Sequence, residues 1–266
     1  MSLVIYFIVR RGVFMGITVY SPDQQAVGSF DGGKITEQKP IGFSGEGSAV
    51  KRIGPLFYWA WAHADREGYI PLHPHQAFEI ITYMINGQAE HGDTLGTKSI
   101  VGAGGAQVMQ TGSGVSHEER FIGPNMEGFQ IWFEPSIQES IKKPPVYHQY
   151  EASDFPTVED NGMQIKTIIG EGSPIDLTAD VQMWDIQVDA NGVYEHIVPE
   201  GYSLATLVLR GNGSWIEEDA AEFQEKDFIV LDAESEQTFE LRSSTKLRML
   251  LIQVPTKTAY KLYPKW

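Results

Sequence analysis

HPHQAFEIITYMINGQAEHGDTLGTKSIVGAGGAQVMQTGSGVSHEE, residues 73–119, is the stretch on which the reading of this chain turns. Its apolar runs are short and rich in Ile, Val, Thr and Tyr, and Gly, Asn or Asp breaks each of them. That pattern predicts strands over Ala77–Asn86, closing on a turn at Gly87, and over Ala106–Gln110. The two ends carry the polar chemistry. His73-Pro-His75 and His117-Glu-Glu119 each place two donors at alternate positions, and alternate residues of a strand share a face. Two such pairs on neighbouring strands would converge three imidazole nitrogens and one carboxylate oxygen. That set suits a divalent transition metal and leaves positions open on an octahedral ion for water, dioxygen or a chelating substrate. It is too hard for copper(I) and too nitrogen-rich for calcium.

Outward from this stretch the same texture continues. Strands are predicted over Leu56–Ala62, Gly128–Glu134, Met163–Ile169, Met183–Val188, Leu204–Arg210, Asp227–Leu231, Gln237–Leu241 and Lys246–Val254. Only Ser136–Lys143 reads as helical. Many evenly spaced strands with few helices mean an all-β sandwich or barrel. An internal repeat points to two of them. Thr82–Gly87 resembles Thr206–Gly211, and Gly105–Met109 resembles Asp227–Leu231, with a Pro-containing connection around Lys143–Pro156. The expected organisation is a leader or non-native start over residues 1–14, a first barrel over 15–143 and a second over 144–266. Phe57–Trp61, aromatic and apolar throughout, is expected to pack in the core.

Composition bounds the function. The net charge is −15 and the pI near 4.8, which argues against direct contact with nucleic acid or an anionic membrane surface. There is no cysteine, so disulfides, thiolate nucleophiles and iron–sulfur clusters are excluded. Leu3–Val9 is apolar, but it is too short to span a bilayer, and its positive charges, Arg10 and Arg11, follow it rather than precede it. A cytoplasmic protein is expected.

The ordered residues between Ile70 and Trp132 resemble the pirin family, a branch of the two-barrel cupins. The match runs through His73, Pro74, His75, Phe78, Glu79, Thr82, Tyr83, Gly87, His91, Asp93, Gly96, Gly102, Gly104, Gln107, Met109, Gly112, Gly114, His117 and Glu119. The resemblance implies a fold of two cupin barrels with the metal ligands at His73, His75, His117 and Glu119. It implies iron as the cofactor, with manganese, nickel, copper or zinc also compatible with the donor set. Gln76, Ala77, Gly105, Val108 and Ser113 depart from the family pattern and change the surroundings of the ligands without removing one.

Some pirins open flavonols such as quercetin with dioxygen, so the resemblance implies a dioxygenase acting on a small aromatic chelator, with Glu119 as the catalytic proton acceptor. The alternative it carries is a metal- or redox-responsive protein that works through a protein partner. Four further expectations concern neighbouring residues. Glu79 has a supporting role, Glu118 points to the other face of its strand, and His91 organises its turn. The second barrel is metal-free, with His196 one residue out of phase.

Overall fold

The computed structural model describes residues 16–264, so the expected leader and the Leu3–Val9 run lie outside the described residues. The fold is all-β, two cupin-type barrels, and its α-helix Ile137–Ser140 falls within the predicted helical stretch. Among the described residues the strands form a nine-stranded, a seven-stranded and a four-stranded sheet. No helix among them is long and apolar enough to cross a membrane.

The nine-stranded sheet builds the first barrel around two long strands, Glu79–Asp93 and Val115–Phe133, paired antiparallel over nearly their whole length. Both are longer than their predicted counterparts. The expected turn at Gly87 is a bend inside a continuous strand, with register shifts on either side of Asn86. Gly87 takes a φ of +74°, and a Cβ there would lie 2.9 Å from Cα of Met126. Only glycine accommodates that conformation and that approach cheaply. The bend redirects the strand from the flat contact with the second half into the wall around the His73–His117 region.

The alternation of the strands sorts the core. Trp59, Trp61, Tyr83, Phe129 and Ile131 face the second half and are fully or almost fully buried against residues such as Phe228 and Ile252. Tyr58, Ala60, Ile80 and Trp132 face into the first barrel. Phe57–Trp61 is thus core, as its composition predicts.

Pairing crosses the expected boundary between the halves. Gly16–Tyr20 pairs with Phe228–Asp232 of the second half, while Val146–Tyr150 closes onto Ala106–Gln110 of the first. Near the other end of the chain, the Tyr260 hydroxyl donates to the Glu134 carbonyl at 2.6 Å. A polar latch joins the halves. Tyr83 donates to Asp185 Oδ2 at 2.7 Å, and Arg248 donates to both Asp185 oxygens at 3.0 and 2.6 Å.

Glu79 belongs to the same junction. Its even spacing from His75 would put it on the ligand face only if the strand ran straight. The strand Gly68–His75 ends there, and Ala77 turns the chain at φ +71°. The buried Glu79 carboxylate instead accepts the backbone N–H groups of Thr178 and Ala179 and the Gln110 amide.

Candidate metal centre

Gly68–His75 and Val115–Phe133 run antiparallel with His73 directly opposite His117, and His75 opposite Val115. Pro74 between the two histidines costs no ladder bond of consequence, because Gly68–His75 pairs on one side only. The result is a triad. The ring centroids of His73, His75 and His117 lie 4.5–4.7 Å apart, and one ring nitrogen from each lies within 4.8 Å of the others. Among the described residues no other group of three or more metal-type donors gathers in this way.

The hydrogen bonds fix what the triad offers. His73 Nδ1 is 2.8 Å from the Pro71 carbonyl, so it carries the proton and leaves Nε2 as a lone pair. That Nε2 faces His117 Nε2 at 3.1 Å. His75 Nε2 and His117 Nδ1 are buried without a hydrogen-bond partner. Burial, and then the neighbouring imidazoles, push the pKa of both His75 and His117 down to about 3, so both rings are neutral at pH 7. Neutral imidazoles with buried, unpartnered nitrogens fit a divalent cation, because metal and proton compete for the same lone pair.

Glu119 lies on the same strand, two residues from His117, and is buried. It is not one of the donors within the 4.8 Å group. Gln130 Nε2 donates to its two oxygens at 2.8 and 2.7 Å, and the Thr82 hydroxyl reaches Oε1 at 3.4 Å. Its negative charge nonetheless acts on His75. Glu118 points to the opposite face, as expected, where the Tyr69 hydroxyl donates to it at 2.6 Å.

Gln130, Trp132 and Tyr147, which sequence reasoning passed over, complete the surroundings together with His91. Trp132 sets its ring perpendicular to His75 with centroids 4.7 Å apart, and its indole N–H donates to Gln130 Oε1 at 3.2 Å. Tyr147 stacks on His91 at 4.2 Å. His91 does anchor its turn, bonding Asp93 at 2.9 Å, but its ring also lies 5.4 Å from that of His117. A cleft of about 550 Å³ opens beside His75, lined by Pro74, His75, Gln76, Thr94, Val115 and Ser116.

The second half repeats this architecture with a donor at only one of the four corresponding positions. His196 stands opposite Phe239 as His73 stands opposite His117. Trp215 stands opposite Leu241 as His91 stands opposite Glu119. His196 is therefore in phase with His73, against the expectation of a one-residue slip. The spacing misled because the loops between the paired strands differ in length between the halves. His196 is buried, accepts from Tyr194 at 2.7 Å and donates to Gln253 at 3.0 Å.

Burial lowers the His196 pKa more than the Gln253 bond raises it. The unfolded chain then takes up a proton near pH 6.5 that the folded chain refuses, so this residue stabilises the fold above that pH and ceases to do so as pH falls. The loss of stability between pH 7.5 and 5.5, measured by urea unfolding, is expected to be smaller in His196→Leu than in the wild type. Equal losses would show that His196 does not titrate between the two states.

A family model described as Pirin matches residues 58–133, the segment that carries His73, His75, His117 and Glu119. Over that segment the chain is similar to the pirins. Pirin-like protein 2 of Arabidopsis thaliana is 28% identical over 191 residues, covering 68% of this chain and 59% of that protein. Two solved structures share the fold of this chain. A bacterial pirin from Escherichia coli, in complex with nickel(II), superposes with a TM-score of 0.73 at 20% identity, over 90% of this chain and 99% of that one. A quercetin 2,3-dioxygenase from Acinetobacter baumannii superposes with a TM-score of 0.76 at 21% identity, over 94% and 90% of the two chains.

Proposed function

We propose that His73, His75, His117 and Glu119 hold one divalent transition metal, and that the centre serves a quercetinase-type dioxygenase acting on a flavonol-like aromatic chelator. The observation that carries the reading is the convergence of three imidazoles, two of them neutral with buried, unpartnered nitrogens, beside a cleft of about 550 Å³ that His75 lines. The likeness of fold to a quercetin 2,3-dioxygenase supports the choice of chemistry.

A bound metal would act as Lewis acid and as the electron conduit between a chelated substrate and dioxygen. Iron, manganese, nickel, copper and zinc all accept this donor set. The chain's own residues do the rest. The Pro71 carbonyl fixes the His73 tautomer. Trp132 and Phe78 form an apolar wall behind His75 that excludes water and gives an aromatic ligand a surface to pack on. Glu119 accepts the phenolic proton of an entering flavonol at a carboxylate oxygen, Gln130 keeping that carboxylate turned toward the barrel interior.

Two experiments test this. Oxygen uptake is followed with a panel of flavonols, on protein reconstituted with each of iron, manganese, nickel, copper and zinc. Uptake that requires both metal and flavonol is expected. No uptake with any metal removes the dioxygenase reading and favours a protein that acts through a partner. Separately, elemental analysis of protein purified without a metal-affinity tag is expected to give one metal per chain. That metal is lost in His73→Ala and His117→Ala and kept in His196→Ala. Two metals per chain would place a second site in the half that lacks the triad.

A further inference from the structure

We infer that Gln130 is the positioning residue for Glu119, and that Trp132 selects which end of the Gln130 amide faces the carboxylate. The inference rests on the proposed role of Glu119 as a metal ligand. Gln130 gives one NH₂ group to both Glu119 oxygens, at 2.8 and 2.7 Å. A carboxylate offers about four acceptor positions, so this grip fixes its plane and leaves lone pairs free for another partner. A neutral amide also leaves the negative charge intact, whereas an arginine or lysine in its place would neutralise the charge and compete with a cation.

An amide can turn either end toward a neighbour, and the wrong end would set oxygen against oxygen. The Trp132 indole, which can only donate, takes Gln130 Oε1 at 3.2 Å and so presents the NH₂ end to Glu119. The Trp132 ring also packs against His75. Gln130, Trp132 and the triad therefore share one set of contacts.

The second half supplies an internal control. Thr82 stands opposite Gln130, and at the corresponding place Thr206 stands opposite Leu251. Where Glu119 is replaced by Leu241, Gln130 is replaced by Leu251, while the threonine persists. The Thr206 hydroxyl is left buried with no partner, whereas Thr82 reaches Glu119. A glutamine needed only to build the barrel would have no reason to vanish with the carboxylate. One needed to orient the carboxylate would.

The test is a double-mutant cycle on the full chain, read as Co²⁺ affinity by competition with a chromophoric chelator and as the Co²⁺ visible spectrum. Gln130→Met keeps the length of the side chain and removes the donor. It is expected to weaken Co²⁺ binding about 10- to 100-fold and to change the spectrum. Trp132→Phe, which removes only the indole donor and part of the ring, is expected to weaken binding in the same direction by less. In a Glu119→Gln background neither change should weaken binding further. Unaltered affinity in Gln130→Met, or the same loss in the Glu119→Gln background, would overturn the inference. If Glu119→Gln alone leaves affinity and spectrum unchanged, the ligand role of Glu119 fails, and the inference with it. If Glu119→Gln weakens binding and Gln130→Met does not, only the positioning role fails.

Discussion

Changing Glu119 to glutamine is expected to lower flavonol oxidation at saturating metal by about 10²-fold or more, the usual cost of removing a general base. Glutamine keeps one carbonyl oxygen and loses both the charge and the basic site. Metal binding should weaken as well, since an anionic donor becomes a neutral one. Two neighbouring glutamates serve as controls of different kinds. Glu118→Gln should leave oxidation unchanged, because its partner, Tyr69, lies on the outer face of the strand. Glu79→Gln should leave metal stoichiometry unchanged and lower stability, because its carboxylate accepts the Thr178 and Ala179 N–H groups at the junction of the halves. Full turnover in Glu119→Gln would remove this residue from the chemistry. Loss of metal in Glu79→Gln with retention in Glu119→Gln would transfer the ligand role to Glu79, against the geometry around Ala77.

The triad was legible in the sequence because strand alternation is local. His73 and His75 share a face whatever the rest of the chain does, and so do His117 and Glu119. Gln130 and Trp132 were not legible, because they reach the centre only after Val115–Phe133 has run past its pairing with Gly68–His75 and on to Leu56–Ala64. No spacing rule links Gln130 to Glu119 across that distance. The one signal that would have found it is the repeat. With the halves aligned strand by strand rather than at a fixed offset, Gln130 falls opposite a leucine, and His196 falls in phase with His73. The exchange of Gly16–Tyr20 into the second half was illegible for a related reason. A short alternating strand fits any open edge, and long-range packing chooses which. Glu79 illustrates the limit of period-two reasoning, which fails wherever one residue such as Ala77 turns the chain.

The junction between the barrels should depend on Asp185 more than on any other single polar residue. Asp185 is nearly fully buried, and three donors converge on it: Tyr83 from the first half, and the Nε and Nη2 groups of Arg248 from the second. Burial and the adjacent carboxylate hold the Tyr83 phenol well above its ordinary pKa, so it remains a donor at any working pH. Asp185→Ala would strand an arginine that is largely packed away from water, together with a buried phenol. Removing one partner of a buried pair costs about 3–5 kcal/mol. For a chain of this size a loss on that scale should lower the melting temperature by roughly 6–20 °C.

A paired change discriminates the origin of the loss. Asp185→Leu with Arg248→Met removes both charges and leaves only the Tyr83 hydroxyl unpaired. It is expected to recover much of the stability, since the penalty of the single variant lies in the uncompensated charge rather than in a large net attraction within the pair. Triad geometry should be indifferent to either change. Metal stoichiometry is therefore expected to stay at one per chain in both variants below their melting temperatures. If Asp185→Ala melts with the wild type, the latch contributes nothing, and the halves are held by the apolar contact around Trp59, Trp61 and Phe228 together with the Glu79 contacts and the exchanged strands.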